Sequence, residues 1–257
     1  MKNLFKLMII AITSLAILTL FSCSDDSAQD PNVIGGDGNL PQNSVGAKYG
    51  ATIKLVGTDF SLYSKIEDSI KVTENKNGEI TLKAKFIFNE DYYKDVAKFL
   101  GIESLNDDSK KSLLDYFKEK YKFSIDTTDK DNMRIEGEIK GKMTNEGIQD
   151  YVYSNGDVKK PFTIIKHNAK VGDKYEFTDS NGNKIIRTVV HKDEENTFNL
   201  VFFKIKVTKV EEISDNPLVS KIIYFTNHKF GLVNIQIDLK NGKTVDAKVI
   251  PWENPDL

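Results

Sequence analysis

Phe230-Gly231-Leu232-Val233-Asn234-Ile235-Gln236-Ile237-Asp238-Leu239-Lys240-Asn241-Gly242-Lys243-Thr244-Val245-Asp246-Ala247-Lys248-Val249-Ile250 reads as two strands and the turn that joins them. Val233, Ile235, Ile237 and Leu239 alternate with Asn234, Gln236 and Asp238, a period of two that puts the apolar side chains on one face of a half-buried strand. Asn241-Gly242 then supplies the pair that a tight hairpin turn favours, because a type I′ turn needs positive φ at both central residues.

The same pattern recurs upstream. Leu82, Ala84, Phe86 and Phe88 alternate with Thr81, Lys83, Lys85 and Ile87; Ile135, Gly137 and Ile139 alternate with charged neighbours; Val201, Phe203, Ile205 and Val207 alternate with Lys204, Lys206 and Thr208. One wet and one dry face means an antiparallel sheet rather than a parallel one buried on both sides. Asn77-Gly78, Asn155-Gly156 and Asn181-Gly182 mark further hairpins. About eight to eleven strands are expected, the last near 184–192, 197–210, 219–226, 230–239 and 243–250. One segment departs from this period. After a cap-like Asn89, Tyr92, Val96, Phe99 and Leu100 fall at helical spacing up to Gly101, and Leu113, Leu114, Phe117 and Tyr121 repeat it after Asn106-Asp107-Asp108. The expected fold is mainly β (α+β): a large curved antiparallel sheet or open barrel with a helical pair inserted at about 89–122, its apolar stripes covering the sheet's open face.

The N-terminus has a different character. Lys2 and Lys6 precede an apolar run from Leu7 to Phe21, and Ser22-Cys23 follows: a signal peptide over 1–22, too short for a permanent transmembrane helix. An ordinary secretory signal would explain the run but not the position of the chain's only cysteine. Leu20-Phe21-Ser22-Cys23 resembles a lipobox, which implies cleavage before Cys23 and a covalent diacylglycerol plus an N-acyl chain on that residue. Several acyl chains anchor stably where one holds only marginally. Ser24-Asp25-Asp26 resembles the surface-export signal of Bacteroidota lipoproteins, implying an outer-membrane location facing the cell surface, with the periplasmic face as the alternative. Residues 23–46, rich in Asp, Ser, Asn, Pro and Gly around Gly35-Gly36-Asp37-Gly38, read as the lipidated cysteine and a flexible tether. Residues 47–257 read as a single β-rich domain, and without Cys23 it has no disulfide to hold it.

Few residues offer chemistry. The chain has three histidines, His167, His191 and His228, none in a metal or catalytic spacing. No nucleophile elbow, zinc helix or phosphate loop is present, so no catalytic residue and no non-covalent cofactor are assigned. His228, between two strong strands, is the first histidine to inspect. Asp126, Asp129 and Asp131 could offer oxygens to calcium from one loop, but lack the glycine and glutamate of an EF-hand; a solvated loop is the plainer reading. Glu211 and Glu212, and Asp193, Glu194 and Glu195, read as turn charges. Trp252 reads as part of a docked C-terminal tail rather than a sugar-binding platform. A formal charge of −2 excludes a nucleic-acid binder.

Val171-Gly172-Asp173-Lys174-Tyr175-Glu176-Phe177, with Asn181-Gly182 and Phe230-Gly231-Leu232-Val233, resembles uncharacterised Bacteroidota lipoproteins, a likeness that implies no activity. The overall plan is similar to the lipoprotein-carrier and lipoprotein-receptor fold, which implies a concave face that takes acyl chains. The expected function is therefore a non-enzymatic, membrane-anchored lipoprotein that binds a partner protein or an apolar, lipid-like ligand. An accessory hydrolase or metal-dependent enzyme assembled from distant residues, and a structural or adhesive surface protein, are the alternatives. An apolar cavity under the helices would favour carriage; a polar cleft holding two histidines with carboxylates would favour the enzyme; a tightly filled sheet–helix interface would fit the structural protein.

Overall fold

A computed structural model of the chain describes residues 32–63, 70–121, 123–126, 128–129, 131–180, 182–213 and 218–253. The expectations for the signal peptide, Cys23, Ser24, Asp25, Asp26 and Asn181 lie outside these residues, as do those for the side chains of Leu113, Leu114, Phe117, Tyr121 and Trp252.

The chain opens with strands β1 (Lys48–Leu55), β2 (Ser61–Tyr63), β3 (Ile70–Lys76) and β4 (Glu79–Phe88), then helices α1 (Glu90–Leu100) and α2 (Asp107–Tyr121). Next come β5 (Phe123–Asp126), β6 (Met133–Thr144), β7 (Gly147–Asp150), β8 (Phe162–Lys166), β9 (Lys174–Thr178) and β10 (Lys184–Lys192). The last strands are β11 (Phe198–Leu200), β12 (Phe203–Ile205), β13 (Thr208–Ile213), β14 (Val219–Asn227), β15 (Gly231–Leu239) and β16 (Thr244–Glu253).

All but β11 and β12 belong to one antiparallel sheet, in the order β8-β7-β6-β4-β3-β1-β16-β15-β14-β13-β10-β9, with β2 beside β1 and β5 beside β6. The sheet curls into a nearly closed barrel, as its class predicted. Its inward residues include Leu82, Ala84, Phe86, Ile135, Ile139, Ile235, Ile237 and Leu239, all buried as the alternation expects, whereas Val233, skipped at a register shift in the β14–β15 pairing, joins a separate cluster outside the barrel. With Tyr49, Ile53, Val245, Ala247 and Val249 they join one continuous apolar core.

Helix α1 forms where the sequence places it. Asn89 Oδ1 accepts the Tyr92 amide at 3.0 Å, capping the start, and Gly101 ends it at φ 73°. Val96, Ala97, Phe99 and Leu100 point into the core, while Asn241 Nδ2 donates to Phe99 O at 3.2 Å from the β15–β16 turn. The helix therefore closes one end of the barrel rather than covering a sheet face.

The other end is closed by a segment expected to be tether. Among the described part of that segment, Asn32, Ile34, Gln42 and Asn43 are buried. Lys142 Nζ donates to Ile34 O (2.9 Å), Thr144 Oγ1 to Gly35 O (2.8 Å), and Asn43 Nδ2 to Met143 O (2.7 Å). The glycines that suggested flexibility serve close approach instead: a Cβ on Gly38 would lie 2.1 Å from the backbone nitrogen of Gly78. The folded domain thus begins by Asn32, and any tether is shorter than the 23–46 expected.

Asn32 also bridges the seam between the two edge strands. Its Nδ2 donates to Glu176 O on β9 (2.7 Å), and its own carbonyl and Oδ1 accept from Thr163 Oγ1 (3.1 Å) and N (3.3 Å) on β8. Lys166 N, donating to Tyr175 Oη at 3.0 Å, adds another stitch.

Three further expectations change. The stretch 197–210 is not one strand: the chain reverses at Val201-Phe202, and β11–β12 forms a separate hairpin before β13. The last strand runs to Glu253, three residues beyond its expected end, because Tyr49 and Lys48 on β1 continue to pair with Pro251 and Glu253. Of the Asn-Gly pairs, Asn77-Gly78 makes the expected tight hairpin with both φ positive, whereas Asn155-Gly156 lies within the longer β7–β8 connection. At Asn241-Gly242 only the glycine is positive, and Leu239 N bonds Lys243 O across a three-residue turn.

Replacing Asn32 with alanine removes the side-chain partners of Thr163 N and of the Glu176 carbonyl at the seam. We expect a loss of about 1–3 kcal/mol in unfolding free energy, read by chemical denaturation.

Candidate functional site

Arg187 lies on β10 between Ile185 and Val189, so the alternation points it inward, and it is fully buried. Its Nε donates to Glu212 Oε2 at 2.7 Å, its Nη1 stands 2.6 Å from Asp150 Oδ2 and donates to Phe162 O at 3.2 Å, and its Nη2 reaches Tyr224 Oη at 3.3 Å. The guanidinium stacks 3.9 Å from the centre of the Phe162 ring. Tyr224 Oη donates to Glu212 Oε2 at 2.9 Å and Tyr153 Oη donates to Glu212 Oε1.

Burial opposes a charge on Arg187, yet Asp150 foremost among its neighbours holds it protonated well above the ordinary range. Burial pushes the Asp150 carboxyl up, and Arg187 pulls it back. The cluster joins β7, β8, β10, β13, β14 and the β7–β8 loop. Its members are buried and none lines the surface clefts described below, so it acts as a latch inside the barrel. Sequence reasoning missed it: Glu212, taken as a turn charge, is buried on β13. The signal was its place two residues after Val210, in the inward register.

Among the described residues a groove opens on the outside of the barrel. The β11–β12 hairpin folds back over the outer surface of β14–β16, where Leu200, Ile205 and Val207 bury Phe225 and Val233 in a second apolar cluster. Phe198 packs 5.5 Å from Phe225, and Phe203 lies 5.6 Å from Phe230. Beside this flap runs a groove of about 600 Å³ whose walls include Phe203, Ile205, Val207 and Phe230. Its rim carries Lys192, Lys204, Lys206, Lys229, His167 and His228, with Asp193 the single carboxylate in the lining.

His228 sits in the β14–β15 connection as expected, exposed, and held there by Asn227, whose Oδ1 accepts from Lys229 N (2.8 Å) and Phe230 N (3.1 Å). His167 joins it in the groove. Burial, helped by the positive field of His228 and Lys192, lowers the His167 pKa to about 4, so it is neutral at physiological pH. Its Nε2 is buried without a hydrogen-bond partner. Asp193 is committed: Oδ1 meets His191 Nε2 at 2.7 Å, and Oδ2 accepts from Thr197 Oγ1 (2.9 Å) and Val207 N (3.0 Å).

The acidic loop turns its oxygens on itself. Asp126 Oδ1 accepts from Thr128 N and Oγ1, and Asp129 Oδ1 accepts from Asp131 N. Among the described residues no three His, Cys, Asp or Glu side chains gather closely enough to hold a metal ion. A cleft of about 590 Å³ beside α1 mixes Leu55, Phe60 and Tyr92 with Asp59, Asp95 and Lys98, and is open to solvent rather than an apolar cavity.

Arg187→Met leaves two buried carboxylates uncompensated and should cost about 3–5 kcal/mol in chemical denaturation. Adding Asp150→Asn and Glu212→Gln to the same chain should restore part of that loss. No protein-family model, curated protein or solved structure matches the chain.

Proposed function

We propose that this chain is a lipid-anchored, non-enzymatic outer-membrane lipoprotein that binds a partner protein or an apolar ligand on the outside of its barrel. The observation that supports this reading most is where free space lies. The interior holds one continuous cluster of buried apolar side chains and the Arg187 cluster, whereas the groove beside the flap is open, aromatic on one wall and edged with lysines. Such a lining favours an apolar ligand or peptide segment that carries negative charge. The alternative, an accessory hydrolase, draws on His167 and His228 meeting in this groove, but its one lining carboxylate is already bonded to His191, Thr197 and Val207. Cys23 supplies the anchor and Asp25 and Asp26 the surface address.

Two measurements test these parts separately. The anionic aromatic probe 8-anilinonaphthalene-1-sulfonate should bind the folded chain, and Lys206→Glu should weaken it by about 0.5–1 kcal/mol, roughly two- to fivefold in Kd. Lys98→Glu, in the cleft beside α1, should leave that affinity unchanged; equal losses from both variants would sink the groove. For the anchor, cells fed labelled palmitate should label the full chain and not Cys23→Ala.

A further inference from the structure

The turn of the flap is built against local preference. Leu200 and Phe203 close a two-residue connection, and Val201 at its first central position has φ 60°. With φ positive only there, the turn is of the II′ kind, whose first central residue is ordinarily glycine, and a β-branched side chain in this region is strained. Phe202, beside it, is 94% exposed, and Val201 and Phe203 are about half exposed at 48% and 50%. The hairpin's own packing uses Leu200 and Ile205 and asks nothing apolar of the turn. An Asn-Gly pair, used elsewhere in this chain, would turn it at lower cost. The apolar tip therefore serves a contact outside the described fold.

Charge shows what that contact is. Lys204 and Lys206 follow the tip and are exposed. Lys248 Nζ donates to Asn199 O at 3.1 Å, and Lys209 lies over the Phe225 ring. None of these four has a carboxylate within salt-bridge distance among the described residues, while nearby Glu211 is paired with Lys221. Glu194 and Glu195 precede the hairpin at its open end, away from the turn. An aromatic wedge collared by ammonium groups matches the interfacial zone of an anionic bilayer, ring at the acyl boundary and cations on the phosphates.

Reach is consistent with this. Nine residue steps separate Cys23 from Asn32, spanning about 30 Å at full extension. Just after Asn32, Val33 and Ile34 line a groove that shares His167 with the one beside the flap. An anchored barrel would hold this end near the lipid surface.

We propose that the hairpin Phe198–Ile205 docks on an anionic lipid surface through Phe202, with Lys204, Lys206, Lys209 and Lys248 on the headgroup phosphates. It is a second, reversible contact that sets how the barrel faces the membrane, and its biological setting rests on the lipid-anchored reading above. The test removes the anchor, so the two can fail independently. The chain from Ser24, which contains every described residue, is mixed with phosphatidylcholine vesicles with or without phosphatidylglycerol, and bound protein is read by flotation. The wild-type chain should float with anionic vesicles only. Phe202→Ser should lower partitioning about tenfold without moving the melting temperature, and Lys204→Glu with Lys206→Glu should lower it further. Phe202→Trp should keep binding and gain a blue-shifted emission that the wild-type chain, with Trp252 alone, does not show. Binding that ignores lipid charge, binding unchanged in Phe202→Ser, or no binding to either vesicle would each overturn the proposal, whatever palmitate labelling says of Cys23.

Discussion

A single guanidinium holds the closure of this barrel together. Arg187 is fully buried and reaches from β10 to carboxylates on β7 and β13, a phenol on β14 and a carbonyl on β8. Taking such a group out of water is costly, and the cost is offset only when every polar direction finds a partner. That requirement constrains its neighbours: β7 and β8 must lie against β10, and Tyr153 must reach in from its loop to Glu212. An apolar plug could fill the same volume, but it would not impose one arrangement of five strands. The latch also occupies part of the interior in which a carrier would hold its ligand.

The edges of the sheet are managed by the same logic. Edge strands present unpaired amides and carbonyls that invite another chain. Here β8 and β9 meet across a seam where Asn32 pairs with Glu176 O and Thr163 N, and the Tyr175 hydroxyl accepts from Lys166 N. The N-terminal arm thus belongs to the sheet's hydrogen bonding although it forms no strand. Beyond Asn32 it crosses the end of the barrel and reaches the β14–β15 turn, where Gln42 Nε2 donates to Lys229 O. An anchor at Cys23 would pull on this arm, and through it on the seam.

The flap plays the complementary part on the outer wall. By covering Phe225 and Val233 it makes β14 and β15 buried on both faces over part of their length, which is why the dry-and-wet alternation fades there. The groove and the exposed tip both follow from this one excursion of the chain. On the flap, Val201, Phe202 and Phe203 stay exposed at and beside the turn, where Val201 has φ 60°.

The sequence by itself determined the mainly-β class, the inward residues of the long strands apart from Val233, helix α1 with its Asn89 and Gly101 caps, and the β14–β15 loop that carries His228. Those features depend on residues a few positions apart, so period and turn chemistry report them directly. Only the tertiary structure decided that Arg187, Glu212 and Asp150 are interior, that Gly38 packs against Gly78, and that Val201-Phe202 reverses the chain. A charge in an inward register looks the same as a turn charge until its partners arrive from other strands. Glycine for close approach has the same composition as glycine for flexibility. Both ambiguities are resolved by contacts between distant residues, which closing the barrel creates and local pattern does not contain.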